Sequence, residues 1–187
     1  GEQNELCTEE SPLKPLSGYA KWKVESEKKV MDRQNSISFR LATVFGIAPR
    51  LRTDLLVNDF VHRAVKDKFI VLFEPHFKRN FIHVRDVGYT FLHAINNMSK
   101  MKDNVFNMGL SNANLTKLEL CDKIKNYLPN FYVNISDYEN DPDKRDYIVS
   151  NQKLESTGWV PKITIEEGIQ ELIKIYNLLK FNKYGNI

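Results

Sequence analysis

Ile37-Ser-Phe-Arg-Leu-Ala-Thr-Val-Phe45 is nearly all apolar or β-branched and stops at Gly46. A run of that length and composition predicts a strand buried on both faces, as in a parallel sheet. The segment before it predicts a helix. Glu9-Glu-Ser-Pro-Leu-Lys-Pro-Leu-Ser-Gly18 is a proline-punctuated loop, Ser17 is placed to cap, and Gly18 to Arg33 has a middle rich in Lys, Glu and Val. A helix leading into a buried strand points to an α/β sheet.

Outward from this pair the elements keep alternating. Asp54 to Lys66 carries Leu55, Leu56, Phe60, Val61, Ala64 and Val65 at helical spacing, with Thr53 or Asp54 as the expected cap. Short strands are expected at Phe69 to Phe73, Phe81 to Val84 and Val105 to Met108. Between the last two, Asp86 is expected to cap a helix from Val87 to Asn97 with Val87, Phe91 and Ile95 as one stripe. Thr116 with Glu119, and Thr164 with Glu167, have the spacing of capping boxes. They predict helices at Lys117 to Tyr127 and Ile165 to Leu179, the second with Ile169, Leu172, Ile173 and Tyr176 inward. Only the first third resembles part of a doubly wound sheet; the remainder predicts a smaller mixed α/β unit.

The 187 residues, 42% hydrophobic and 27% charged, are enough for a globular domain with its own core. The formal net charge is only +3 and the signs are interleaved, which leaves no footprint for nucleic acid or a membrane surface. A small-molecule partner is expected. Cys7 and Cys121 are far apart and in no Cys-x-x-Cys arrangement, so neither a disulfide framework nor a zinc knuckle is expected. No apolar run reaches the length of a membrane span, and the first residues lack the basic and apolar regions of a signal peptide. The expected location is the cytoplasm.

Tyr19 and Lys23, four apart on the first helix, lie on one helix face within reach of a common ligand. A phenol can exchange a proton with a sugar hydroxyl, although its free pKa near ~10 keeps it protonated at neutral pH. An ammonium nearby stabilises the phenolate and lowers that value. Spacing alone does not establish the pair, because Tyr176 and Lys180 repeat it in a helix where a core tyrosine and a solvated lysine suffice. Arg50 and Arg52 read equally as phosphate contacts or as a solvated loop. His83 reads as a structural histidine at a strand end. His62, His76 and His93 share no metal-ligand spacing, the loop Asp137 to Asp146 lacks the ligand order of a calcium site, and no metal site is expected.

The context of Tyr19 is more specific. Glu10-Ser-Pro-Leu-Lys-Pro-Leu-Ser-Gly-Tyr19-Ala-Lys-Trp-Lys23-Val-Glu25, followed by Phe39-Arg-Leu-Ala-Thr-Val-Phe-Gly46, resembles the active-site helix and next strand of the extended short-chain dehydrogenase/reductase family. Arg79-Asn-Phe-Ile-His-Val-Arg-Asp86-Val resembles that family's Arg-Asp-Phe-Ile-His-Val-x-Asp-Val. Asp143-Lys-Arg145-Asp, Gly158-Trp-Val-Pro161 and Thr164-Ile-Glu-Glu-Gly168-Ile resemble its closing segment. The landmarks appear in the family's order along essentially the whole chain.

The resemblance implies an α/β fold: the C-terminal part of a Rossmann-like doubly wound sheet plus a small mixed α/β substrate-binding domain. Residues 1–46 would end the dinucleotide-binding domain, and 47–187 would be mainly the substrate-binding domain, with some segments returning to the Rossmann sheet. It implies an NAD-dependent epimerase or dehydratase acting on a nucleotide-linked sugar through a transient keto-sugar, NADP being possible as cofactor. Tyr19 would be the acid/base residue, and Lys23 would tune it and hold the nicotinamide ribose. Thr43, Val44 and Phe45 would border nicotinamide and sugar, Asp54 would lie near the substrate, and Arg79 and Arg145 would hold its diphosphate. A homodimer through the Tyr19 helix is a further family-level expectation.

Two departures touch the substrate. Thr43 stands where the family strand usually has Asn, and Asp54-Leu-Leu-Val57 replaces its common Asn-Leu-x-Pro, which leaves the particular sugar and reaction open. The eight glycines form no Gly-x-x-Gly-x-x-Gly or Gly-x-Gly-x-x-Gly turn, and no strand with the family's catalytic Ser or Thr precedes Tyr19. The expectation is therefore a longer protein, with an N-terminal region on the order of 100 or more residues, this piece alone being inactive. Alternatives are an NAD(P)-dependent sugar reductase or dehydrogenase, and a non-catalytic nucleotide- or RNA-binding module of the same fold.

Overall fold

The computed structural model describes residues 6–136 and 146–179. In chain order the elements are β1 (Leu6–Cys7), α1 (Gly18–Met31), β2 (Ile37–Leu41), β3 (Thr43–Phe45), α2 (Leu56–Lys66), β4 (Phe69–Phe73), β5 (Lys78–His83) and α3 (Val84–Asn96). They continue with α4 (Met98–Met101), β6 (Asn104–Met108), β7 (Asn114–Thr116), α5 (Lys117–Lys125), β8 (Tyr132–Ser136), β9 (Ile148–Val149), α6 (Gln152–Glu155) and α7 (Ile165–Leu178). The chain is α/β, as the alternation predicts. The pairings β1 with β9, β2 with β6, β3 with β5, and β4 with β8 are parallel, and β5 with β7 is antiparallel.

The run that predicts one buried strand forms two. Residues 37 to 41 pair with β6, and after Ala42 the chain moves to β5. Ala42 N still donates to Met108 O at 2.9 Å, so the hydrogen bonding is handed over without a gap. Nor is β2 buried on both faces: its residues are half-buried and Leu41 is exposed, whereas Phe45 is only 1% exposed. Among the described residues β2 pairs along one edge only.

β5 divides the interior. Its alternating side chains send Phe81 into a core formed by α2, α5 and α7, and Ile82 into a second core under α3 and β6 with Met101, Phe106 and Trp159. At the end of β3 the chain turns through Gly46 at φ +107°, where a Cβ would lie 2.3 Å from His83 Nε2. Glycine meets both demands there, the left-handed backbone and the close approach.

Two helix starts differ from expectation. α2 begins at Leu56 with no side-chain cap, because Asp54 is engaged by Arg52 instead. α3 begins at Val84, capped by His83, whose Nδ1 accepts from Arg85 N at 3.2 Å. Asp86 therefore sits inside the first turn, where its carboxylate accepts the N–H groups of Lys162 and Ile163 at 3.0 Å each. The buried face of α3 is Asp86, Thr90 and Ala94, while Phe91 and Ile95 are exposed. Both capping boxes form as predicted, at Thr116 with Glu119 and Thr164 with Glu167.

Candidate functional site

Ser17 accepts a hydrogen bond from Ala20 N and starts α1, which sets Tyr19 in the first turn and Lys23 one turn later. Lys23 Nζ is 5.7 Å from the centroid of the Tyr19 ring. Both side chains line a groove of about 620 Å³ between α1 and β2, whose apolar wall includes Leu13, Val24, Phe39 and Val44. Tyr19 is 73% exposed, so its hydroxyl is open to a ligand in the groove. A smaller cavity of about 300 Å³ adjoins it beneath the loop before α1, between Cys7, Lys14, Asn107 and Tyr147. A phenol and an ammonium beside an apolar wall can exchange a proton and hold a hydroxylated ligand at once.

Of the other residues singled out in the sequence, Val44 shares the groove with Tyr19 and Lys23, and Thr43 precedes it on β3, half-buried. Phe45 points the opposite way, into the core, edge-on to His83 with ring centroids 5.3 Å apart. Asp54 is an exposed partner of Arg52 at 2.6 Å, and that guanidinium holds its carboxyl below the usual range. Arg79 is 8% exposed on β5, its guanidinium 5.8 Å from the Tyr147 ring centroid and donating to Lys78 O. It is not among the residues lining the groove. Arg145 lies outside the described residues. Among the described residues no three His, Cys, Asp or Glu side chains come together as a metal site, and no helix is long and apolar enough to cross a membrane.

Two supporting residues escaped the sequence reading. Asn58, buried on α2, accepts from Gly46 N at 3.0 Å and donates to Arg52 O at 2.8 Å, so one amide fixes the loop leaving β3. Its only signal was a polar residue inside an apolar helical stripe. Arg40 joins α1 to the sheet through Glu27. Its signal was a charge in the middle of an apolar strand.

Residues 1–109 match the model of the NAD dependent epimerase/dehydratase family. The chain belongs to that family. Human dTDP-D-glucose 4,6-dehydratase is 26% identical over 192 residues, covering 96% of this chain and 53% of the relative. The dTDP-glucose 4,6-dehydratase of Bacillus anthracis, solved in complex with NAD, superposes with a TM-score of 0.78 at 23% identity, over 95% of this chain and 57% of that one. RMD from Pseudomonas aeruginosa, complexed with NADPH, superposes with a TM-score of 0.77 at 17% identity, over 94% and 61%. The fold of this epimerase/dehydratase chain is thus Rossmann-like, and the chain spans 53% to 61% of the length of these relatives.

Proposed function

We propose that the whole protein oxidises a nucleotide-linked sugar to a transient keto-sugar and then epimerises or dehydrates it, with Tyr19 as acid/base residue. The observation that carries this reading is the placement of the Tyr19 phenol and the Lys23 ammonium in one open groove against the apolar Val44 wall. The donor set suits the nicotinamide-ribose end of NAD: an ammonium with hydrogen-bond donors for ribose hydroxyls, a phenol beside it, and an apolar surface for the ring. Bound there, NAD supplies the acceptor and later the donor of hydride. The Tyr19 phenolate takes the sugar hydroxyl proton on oxidation, and the phenol so formed returns it on reduction. Lys23 stabilises the phenolate by its charge and holds the ribose.

Residues 1–46 serve the cofactor side of this division of labour and 47–187 mainly the sugar nucleotide. Pairing of β6 with β2 supports the return of later segments to the cofactor-side sheet. Thr43, Phe45, Asp54, Arg79 and Arg145 are assigned to the substrate side, the two arginines to its diphosphate. Phe45 acts from below, by packing under the strand end. The protein works as a homodimer, and this chain by itself does not turn over.

The test is Tyr19→Phe in the whole enzyme. Turnover should fall by at least about 10²-fold, the scale of a lost acid/base group, while NAD binding is largely kept. Turnover like that of the wild type would remove Tyr19 from the mechanism.

A further inference from the structure

α1 is seated unlike the other long helices. It has no buried residue, and the side it turns to the sheet offers only half-buried positions, among them Ala20, Val24 and Glu27. Within this chain a single guanidinium ties α1 to β2. Arg40, on β2, donates from Nε to Glu27 Oε2 at 2.9 Å and from Nη2 to Glu27 Oε1 at 2.7 Å, a bidentate pair with both side chains mostly shielded from water. Its Nη1 donates to Glu9 O at 2.8 Å, in the loop that leads into α1. The Glu9 carboxylate in turn accepts from Asn107 N on β6 at 2.7 Å. Three guanidinium nitrogens join β2 to the helix and its preceding loop, and the Glu9 carboxylate extends the link to β6.

We propose that Arg40 is a positioning residue that fixes α1 on the sheet, and with it the placement of Tyr19 and Lys23 in the groove. The proposal rests on the assignment of that pair to the reaction. Glu27 lies one turn beyond Lys23, two beyond Tyr19, so a shift of its anchor moves the phenol and the ammonium together relative to the strand wall. A planar fork that meets a carboxylate edge-on fixes direction as well as distance, and an ammonium on a flexible stem cannot serve Glu27 and the Glu9 carbonyl in the same way. A displacement of about 1 Å at reacting groups costs on the order of 10²-fold in rate.

The experiment uses the whole enzyme with Arg40→Met, Arg40→Lys, and the exchanged pair Glu27→Arg with Arg40→Glu. Expected for Arg40→Met is a fall in kcat of about ten- to a hundredfold with KM for the sugar nucleotide within about twofold. Amide hydrogen exchange should rise across residues 18–31 and stay unchanged across 165–178. Arg40→Lys should lie between, and the exchanged pair should recover turnover above either of its single variants. The proposal is overturned if kcat per folded enzyme is unchanged while only the melting temperature falls, or if KM rises with kcat constant. Should Arg40→Met not fold, Arg40→Lys and the exchanged pair give the same readings. Exchange across 18–31 is independent of the chemistry: if Tyr19→Phe keeps full turnover, a rise in that exchange still shows Arg40 seating the helix, and no rise removes it.

Discussion

α1 and α7 are both 14 residues long and each carries a Tyr, yet they are held by opposite means. α7 is closed by a capping box and buries Ile165, Ile169, Leu172 and Tyr176 against α2 and the sheet. α1 buries nothing completely and is tied by Arg40 and its own loop. The same Tyr therefore has two characters. Tyr176 is wholly enclosed, and burial pushes its phenol up, away from any acid/base use at neutral pH. Tyr19 is 73% exposed at a groove. A helix that leaves its tyrosine open does not use that face for packing within this chain, so more of its attachment to the sheet falls to polar contacts.

The strongest way to break this comparison is to remove volume from each helix. Leu172→Ala empties a site with no exposure in the larger core and should destabilise the chain by about 2–5 kcal/mol. Val24→Ala, at a half-buried position on the sheet side of α1, should cost about 1 kcal/mol or less. Urea unfolding of the two variants measures both. Similar losses would mean that α1 is seated by burial after all, and the role given to polar tethering would fail.

Much of α7 was legible in the sequence because its determinants are local. Thr164 and Glu167 are three apart, and Ile169, Leu172, Ile173 and Tyr176 repeat at helical spacing. β4 was legible for the same reason, as an apolar run between polar flanks. β8 escaped because Tyr132–Ser136 leaves Tyr132, Asn134 and Ile135 exposed and is defined by pairing with β4, some sixty positions earlier. The break at Ala42 escaped because the change of partner is decided by β5 and β6, not by the run itself. In the site, Tyr19 and Lys23 were legible through helical spacing and the motifs around them. The tie between Arg40 and Glu27 was not, since 13 residues and a turn separate them and no local periodicity relates them. Asp86 looked like a cap because the chain it binds lies 76 and 77 positions later.

pH should separate the two regions further, with a smaller effect. His83 is fully buried where β5 meets α3, beneath Phe45 and Gly168, and its Nε2 lies 3.5 Å from Glu171 Oε2. Desolvation holds its pKa below the ordinary value of about 6.5, helped by the positive charge of Arg85 and opposed by Glu171 and Asp86. Desolvation also lowers His62. A depressed histidine binds a proton more readily in the unfolded chain, so stability is full above about 6.5 and falls as pH drops from there toward the folded value. His83→Asn keeps a side-chain oxygen for the Arg85 N–H but cannot titrate. It should flatten the fall in unfolding free energy between pH 7 and 5 by at most one proton's worth, about 1.4 kcal/mol per pH unit. An unchanged slope would assign the response to other groups. Glu119 and Glu167, held low mainly by backbone hydrogen bonds to Thr116 and Thr164, act in a separate window. Their contribution is present above about 4.5 and is lost only as pH falls further.

The smallest effects distinguish the helices most finely. Thr164→Ala removes one half of the α7 capping box, and Ser17→Ala removes the single cap of α1. In isolation either loss is worth about 1 kcal/mol. α7 is continuous with the core, so its first turn cannot loosen without disturbing Ile165 and Ile169, and the loss should appear in global unfolding. α1 can fray at Gly18 and Tyr19 while Glu27 stays clamped two turns away, so Ser17→Ala should leave the global unfolding free energy within about 0.5 kcal/mol. Its mark should be faster amide exchange confined to residues 18–21. If Ser17→Ala instead lowers global stability as much as Thr164→Ala does, the first turn of α1 is part of the cooperative core, and the anchoring at Glu27 is not what holds the helix.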